Sequence, residues 1–147
     1  MSPRSSSRTF LEFAPTSREL FENLGKALAG PGGAPLKNKD VFLVALTWGF
    51  FHDTKSGPIK KSGTGVRVEY LDEEDLALIR SIHFAVTQDL DALSNDDAAF
   101  EIAELFAEGG IQLLAEQMKR PGDFAEAFAA EIVGLLGLAH KVRDGED

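Results

Sequence analysis

Cysteine is absent from the 147-residue chain, which excludes disulfides, thiolate nucleophiles and thiolate metal sites and makes an intracellular, cytoplasmic setting the expectation. Long apolar runs are absent too. The longest, Val41 to Phe51, is interrupted by Thr47 and falls well short of the roughly 20 residues that span a bilayer, so no membrane is implied. Residues 1–8 carry Arg4 and Arg8, but no apolar stretch of the signal-peptide kind follows them, and they read as a flexible arm. Positive charge is the third scarcity: 15 Lys and Arg face 24 Asp and Glu, a net charge of -9 that argues against nucleic-acid binding by bulk electrostatics. What is present is 44% hydrophobic and 27% charged residues, the composition of one soluble domain with a core of its own.

The charge is unevenly placed. Residues 1–70 are about +4 and residues 71–147 about -13, so the molecule has two electrostatic halves. Along the chain, Thr16 or Ser17 is suited to cap a helix whose inward stripe is Leu20, Phe21, Leu24 and Leu28. The helix-breaking run from Gly30 to Pro35 closes it. Asn38 is a candidate N-cap for a second helix reaching Phe51, apolar on almost every side and therefore expected to be buried. Loop chemistry fills residues 52–66, with Gly57, Pro58, Gly63 and Gly65. Val66 to Tyr70 and Thr9 to Phe13 alternate in the manner of short half-buried strands and are expected to pair as a ribbon on the helices.

Asp72 to Asp75 place four acids at the positive end of a third helix, whose inward stripe is Leu76, Ile79, Ile82, His83 and Val86. Residues 88–93 read as a connector or single turn. Ser94 or Asn95 caps a fourth helix, with Asp97 in reach of a capping-box position. Gly109 and Gly110 interrupt that helix's apolar stripe, where each glycine costs about 0.8–1 kcal/mol relative to alanine. Either the helix bends there or another backbone packs closely. A fifth helix runs from Phe124 to His140 with apolar residues on more than one face, expected as a deep central helix, with a homodimer surface as the alternative. The expectation is a mainly α, single compact domain of about five helices with a short two-stranded β-ribbon: an arm at 1–8, the helical domain at 9–141 and a frayed acidic tail at 142–147.

The side chains that carry chemistry are few. His52, His83 and His140 fall in separate segments without metal-ligand spacing, so no metal site and no cofactor is indicated. His83 on an inward stripe reads as a satisfied core histidine. His52 beside Asp53 has the makings of a proton-sharing pair, but a helix terminus accounts for it more simply. Glu101, Glu104 and Glu108 repeat at helical spacing and read as a solvated face rather than carboxylates converging in a cleft. Lys60 to Gly65 lacks the order of a phosphate-binding P-loop. What remains is the basic loop. Lys55, Lys60, Lys61 and Arg67 face only Asp53, and glycine and serine around them let amides and ammonium groups approach phosphates. The alternative is an ordinary solvated loop. With so few phosphate contacts, any DNA binding here is weak and strongly salt-dependent.

Three blocks in order resemble a known family: Lys39-Asp40-Val41-Phe42-Leu43-Val44-Ala45-Leu46-Thr47-Trp48-Gly49-Phe50 before a lysine-rich glycine loop, Asp72-Glu73-Glu74-Asp75-Leu76-Ala77-Leu78-Ile79, and Ile102-Ala103-Glu104-Leu105-Phe106-Ala107-Glu108-Gly109-Gly110-Ile111. Over roughly residues 17–118 the chain resembles the dnd system-associated proteins of family 4, accessory products of DNA phosphorothioation gene clusters. The resemblance implies a place in a bacterial system that marks DNA with backbone sulfur and restricts unmarked invaders. It supplies no catalytic residue. Two departures stand out: Thr87-Gln88-Asp89-Leu90 where the family favours Thr-Gly-Asp-Leu, and Phe106-Ala107-Glu108-Gly109-Gly110 where it favours Tyr-Ala-Asn-Gly-Gly. The first questions the turn, because glycine reaches positive φ easily and glutamine does not.

These readings combine into one expectation. The chain is a non-enzymatic accessory protein of a phosphorothioation-linked restriction and antiviral defence system, touching DNA weakly through Lys55, Lys60, Lys61 and Arg67 and other proteins of the system through its acidic helices. The alternatives are a protein-only adaptor that never touches DNA, and a metal-dependent nuclease.

Overall fold

A helix without a polar face needs neighbours on every side, and the chain is arranged around that need. The structure is a computed structural model that describes residues 8–30, 32–60, 63 and 65–143, with the backbone alone at 136 and 138–143. Its helices are α1 (Arg18–Ala29), α2 (Asn38–Phe51), α3 (Glu73–Thr87), α4 (Asp96–Met118) and α5 (Phe124–Arg143), and its strands are β1 (Phe10–Glu12) and β2 (Gly65–Arg67). Of the arm expected at residues 1–8 and the tail expected at 142–147, residues 1–7 and 144–147 lie outside the described residues, while Arg8 pairs with Glu104 and residues 142–143 belong to α5.

The apolar helix α2 buries Val41, Phe42, Ala45, Leu46, Trp48 and Gly49. Its main partner is α4, and the two meet backbone to backbone. A Cβ built on Gly110 would stand 1.8 Å from the Ala45 carbonyl oxygen, and one on Gly49 would stand 2.0 Å from the Phe106 carbonyl oxygen. The helix α4 runs unbroken from Asp96 to Met118, so of the two explanations for Gly109 and Gly110 the close approach is correct. Around this crossing, α1 contributes Phe21 and Leu24, and α3 contributes Leu76, Ile79 and Ile82. Phe13 stacks on Phe21 with ring centroids 4.1 Å apart, fastening the entry to α1.

The ribbon is present and antiparallel, pairing Phe10 with Arg67, Leu11 with Val66 and Glu12 with Gly65. Leu11 and Val66 point inward and are fully covered. The second strand is shorter than its alternation predicts. Val68–Tyr70 forms a 3₁₀ turn in which the Leu71 amide donates to the Val68 carbonyl at 3.0 Å, redirecting the chain into α3. Asp72 then caps α3 in a reciprocal box with Asp75, each side chain accepting from the other's amide at 2.9 Å. Leu90–Ser94 is another 3₁₀ turn, as is Pro15–Ser17, and Asn95 rather than Ser94 caps α4 through the Ala98 amide at 3.1 Å. With Asn95 as cap, the reciprocal position is Ala98, so Asp97 completes no box.

Two other expectations meet a different outcome. Ser17 precedes α1 without capping it, and its hydroxyl is used elsewhere. The deep central position expected of α5 is taken by α2. The helix α5 lies outside, with Phe128 against Trp48 at 4.9 Å between ring centroids and Phe124, Ile132 and Leu135 only partly covered, while Val133 stays 68% exposed. The other sides of α2 are already taken, so α5 finds one face to cover. Gln88 closes α3 in the left-handed region with φ 57, a conformation that glycine reaches at no steric cost and glutamine does not.

Urea unfolding checks both backbone constraints. Gly110→Ala is expected to cost about 3 kcal/mol or more, because the added Cβ meets a backbone carbonyl that cannot yield. Gly134→Ala on the open side of α5, where an added Cβ meets nothing within 4 Å, is expected to gain about 0.8 kcal/mol. Gln88→Gly is expected to gain about 0.5–1 kcal/mol by removing the left-handed penalty at an exposed position.

Candidate nucleic-acid interface

The basic loop leaves α2 through His52 and Asp53. The His52 ring stacks on Trp48 at 4.5 Å between centroids, and its Nδ1 lies 3.0 Å from the Trp48 carbonyl oxygen. The imidazole is thus engaged with the end of its own helix, in line with the helix-terminus reading. Asp53 turns the chain with φ 49. The Thr54 amide donates to the Gly49 carbonyl at 2.8 Å and the Ser56 amide to the Leu105 carbonyl at 3.0 Å. A Cβ on Gly109 would stand 2.1 Å from the Thr54 carbonyl oxygen, so Gly109 admits the loop as Gly110 admits α2. The first part of the loop is therefore laid directly on α4.

On this frame Lys55 and Lys60 are exposed and form no ion pair with any described residue. Lys60 lines a cleft of about 470 Å³ with Ser56, Pro58, Thr16 and Glu108. Lys61 lies outside the described residues. Arg67 does not line this cleft. Its guanidinium pairs with Glu69 at 2.6 Å, sits 5.7 Å from the centre of the Phe10 ring, and lines a separate groove of about 830 Å³. That groove is bordered by Phe10, Leu36, Lys37, Lys39, Arg67 and Tyr70. Of the residues expected to act together, Lys60 and Arg67 therefore line different clefts, and Lys55 lines neither of the two.

Lys37 and Lys39 stand far from Arg67 in the chain, and the β1–β2 ribbon brings Arg67 to them; Tyr70, three residues from Arg67, has the sequence pattern of a strand end rather than of a site. Lys39 is the fixed member. Its ammonium is 2.9 Å from Asp75 and 3.8 Å from Asp72, and the hydrogen bond to Asp75 raises its pKa above the ordinary 10.5. Burial pushes the Asp75 carboxyl up, but the Asp72 amide and the Lys39 ammonium together outweigh it and hold it below the ordinary 3.8. The start of α2 at the same groove carries no side-chain cap. Elsewhere on α3, Arg80 forms a two-pronged pair with the buried Asp96 at 2.8 and 2.9 Å, which raises its pKa above the ordinary guanidinium value.

The glutamates of α4 require a correction. Glu101 is exposed, but Glu104 is 1% exposed and accepts from the Arg8 guanidinium and from the Glu12 amide, each at 2.5 Å. Glu108 accepts from the Ser17 hydroxyl and from Gln112 at 3.4 Å. Only Glu101 belongs to a solvated face. A signal was available for Glu104, whose helical neighbours Phe100, Ala103 and Ala107 are all apolar. The role of Glu104 and Glu108 is to hold β1 and the start of α1 against α4. His83 is buried as expected, but its Nδ1 finds no hydrogen-bond partner among the described residues. No group of three or more metal-ligating side chains comes together among the described residues. None of their helices is long and apolar enough to cross a membrane.

Among protein families, the one described as DNA sulphur modification system-associated protein 4 matches the chain over residues 14–136. No curated protein and no solved structure matches it.

The Lys39–Asp75 pair generates a pH dependence. Because the folded carboxyl titrates below 3.8, its stabilisation is fully present above that value and is lost as the pH falls through the lower folded value. Asp75→Asn removes the charge that faces Lys39 and the start of α3 and is therefore expected to destabilise by about 0.5–1 kcal/mol at neutral pH. The difference from the parent should close as the pH is taken below 3.8, measured by urea unfolding across the acid range.

Proposed function

The chain belongs to the DNA sulphur modification system-associated protein 4 family, and from that membership we propose that it is a non-enzymatic accessory protein of a bacterial phosphorothioation-linked restriction and antiviral defence system, working in the cytoplasm. It brings DNA and a protein of the system together. The observation that carries the DNA half is the exposure of Lys55 and Lys60, without ion pairs among the described residues, on a loop pinned to α4 in a protein of net charge -9. In so acidic a molecule, unneutralised lysines on a held backbone form a local site for phosphate, and the surrounding charge keeps the contact weak and salt-sensitive.

The protein-binding half rests on the opposite charge. No Lys or Arg occurs between Ser81 and Met118, while Asp89, Asp91, Asp97, Glu101 and Glu116 lie in that span. Phe84, Val86, Leu90 and Leu93 are exposed within it, Leu90 to 71%. An acidic surface with apolar anchors suits a basic, amphipathic segment of another protein of the system. The non-enzymatic reading draws support from the carboxylates of α4: Glu104 and Glu108 are engaged in holding β1 and Ser17 rather than turned to a common point.

Retention on duplex DNA at low salt tests the reading. The Lys60→Ala, Lys61→Ala double variant is expected to weaken it and to reduce the slope of log affinity against log salt by up to about 1.8, the share of two phosphate contacts. Unchanged retention and slope would favour the adaptor that never touches DNA.

A further inference from the structure

The groove that receives Arg67 has a composition the loop lacks. Its lining carries three cations, Lys37, Lys39 and Arg67, and no carboxylate. It also carries an aromatic residue open to solvent, Tyr70, which is 64% exposed and is the single tyrosine of the chain. Leu36, 37% exposed, and Phe10, with the Arg67 guanidinium 5.7 Å from its ring centre, complete an apolar floor. At about 830 Å³ the groove falls within the ~300–1,000 Å³ range of clefts that hold small ligands or single residues of a polymer.

The cations differ in what they can offer. Lys39 is committed to Asp75 and Asp72, both of which lie outside the lining. Lys37 is exposed and has no ion-pair partner among the described residues. Arg67 pairs with Glu69 through Nε, an exposed contact of the kind that contributes little, and its terminal nitrogens remain to donate. Phosphate recognition without a stacking surface would leave Tyr70 unexplained, and a purely apolar ligand would leave Lys37 and Arg67 unexplained. A ligand that alternates phosphate with planar rings accounts for both. A duplex hides its ring faces in the stack, whereas an unpaired strand exposes them, and the pairing of cationic groove with open aromatic is how proteins hold single strands.

We propose that this groove binds an unpaired stretch of DNA, with one base stacked on Tyr70 and the adjoining phosphate held by Lys37 and Arg67. The inference rests on the reading that the protein touches DNA and moves the specific contact from the loop to the groove. Lys60, facing a different cleft, then serves the flanking backbone.

The test uses the full chain and a fluorescein-labelled oligothymidylate, with a hairpin duplex as comparison, followed by fluorescence anisotropy at low salt. The parent should bind the oligothymidylate more tightly than the hairpin. Tyr70→Ala should weaken the single-strand complex by about tenfold or more, and Tyr70→Phe should restore it, since stacking needs the ring and not the hydroxyl. Lys37→Ala and Arg67→Ala should each lower the salt slope, and the double variant by about 0.7, the share of the one phosphate they hold. Circular dichroism confirms that each variant is folded, which the exposure of Tyr70 and Lys37 favours. Equal binding by Tyr70→Ala, or a parent that prefers the hairpin, overturns the proposal. If the hairpin is still lost on changing Lys60 and Lys61 while Tyr70→Ala is silent, the groove assignment fails and the DNA reading stands. If neither nucleic acid binds the parent, both fail together.

Discussion

Two helix backbones in contact hold this molecule together. Where α2 and α4 cross, Gly49 and Gly110 let each helix reach the other's carbonyl groups, a spacing no side chain permits. That proximity lets the apolar α2 be covered on its α4 side without large residues at the crossing. One residue earlier, Gly109 repeats the device for the loop, so that Thr54 rests on α4 and the Ser56 amide reaches Leu105. The cost in helix propensity at these positions is offset by packing that no other residue allows.

The second organising constraint is electrostatic and follows from the first. With one side of α4 against α2 and another against α3, a third meets the ribbon and the start of α1, and Glu104 and Glu108 serve as posts for them. Glu104 gathers Arg8 and the Glu12 amide, and Glu108 gathers Ser17 and Gln112. A carboxylate as covered as Glu104 is tolerated because it is paired and hydrogen-bonded. The ribbon held in this way carries Arg67 to the start of α2, making the groove a consequence of the same anchoring.

Much of the architecture was legible because the signals were local. The near-absence of polar residues in α2, the acids before α3 and the alternation of Val66 to Arg67 with Phe10 to Glu12 each reflect burial or a helix end within a few residues. The candidate site was less legible. Lys55, Lys60 and Arg67 were visible as charges, but charge along a chain does not reveal which residues share a cleft. The division between Lys60 and Arg67 arises from the turn of the ribbon. Lys37 and Tyr70 carried no signal of their own, since an isolated lysine and an exposed tyrosine acquire meaning only from what lies beside them.

By itself, then, the sequence determined the helical class, the element order, the uneven charge along the chain and the family resemblance, because these depend on periodicity, capping chemistry and composition. Tertiary structure alone decided which of two explanations for Gly109 and Gly110 holds, that α2 rather than α5 is central, that Glu104 is enclosed, and that the cations divide between a loop cleft and an aromatic groove. Each of those outcomes depends on a partner distant in the chain. Gln88 lies between the two cases: its left-handed turn was questioned on local grounds, and packing of α3 against the rest of the fold keeps the turn despite its residue.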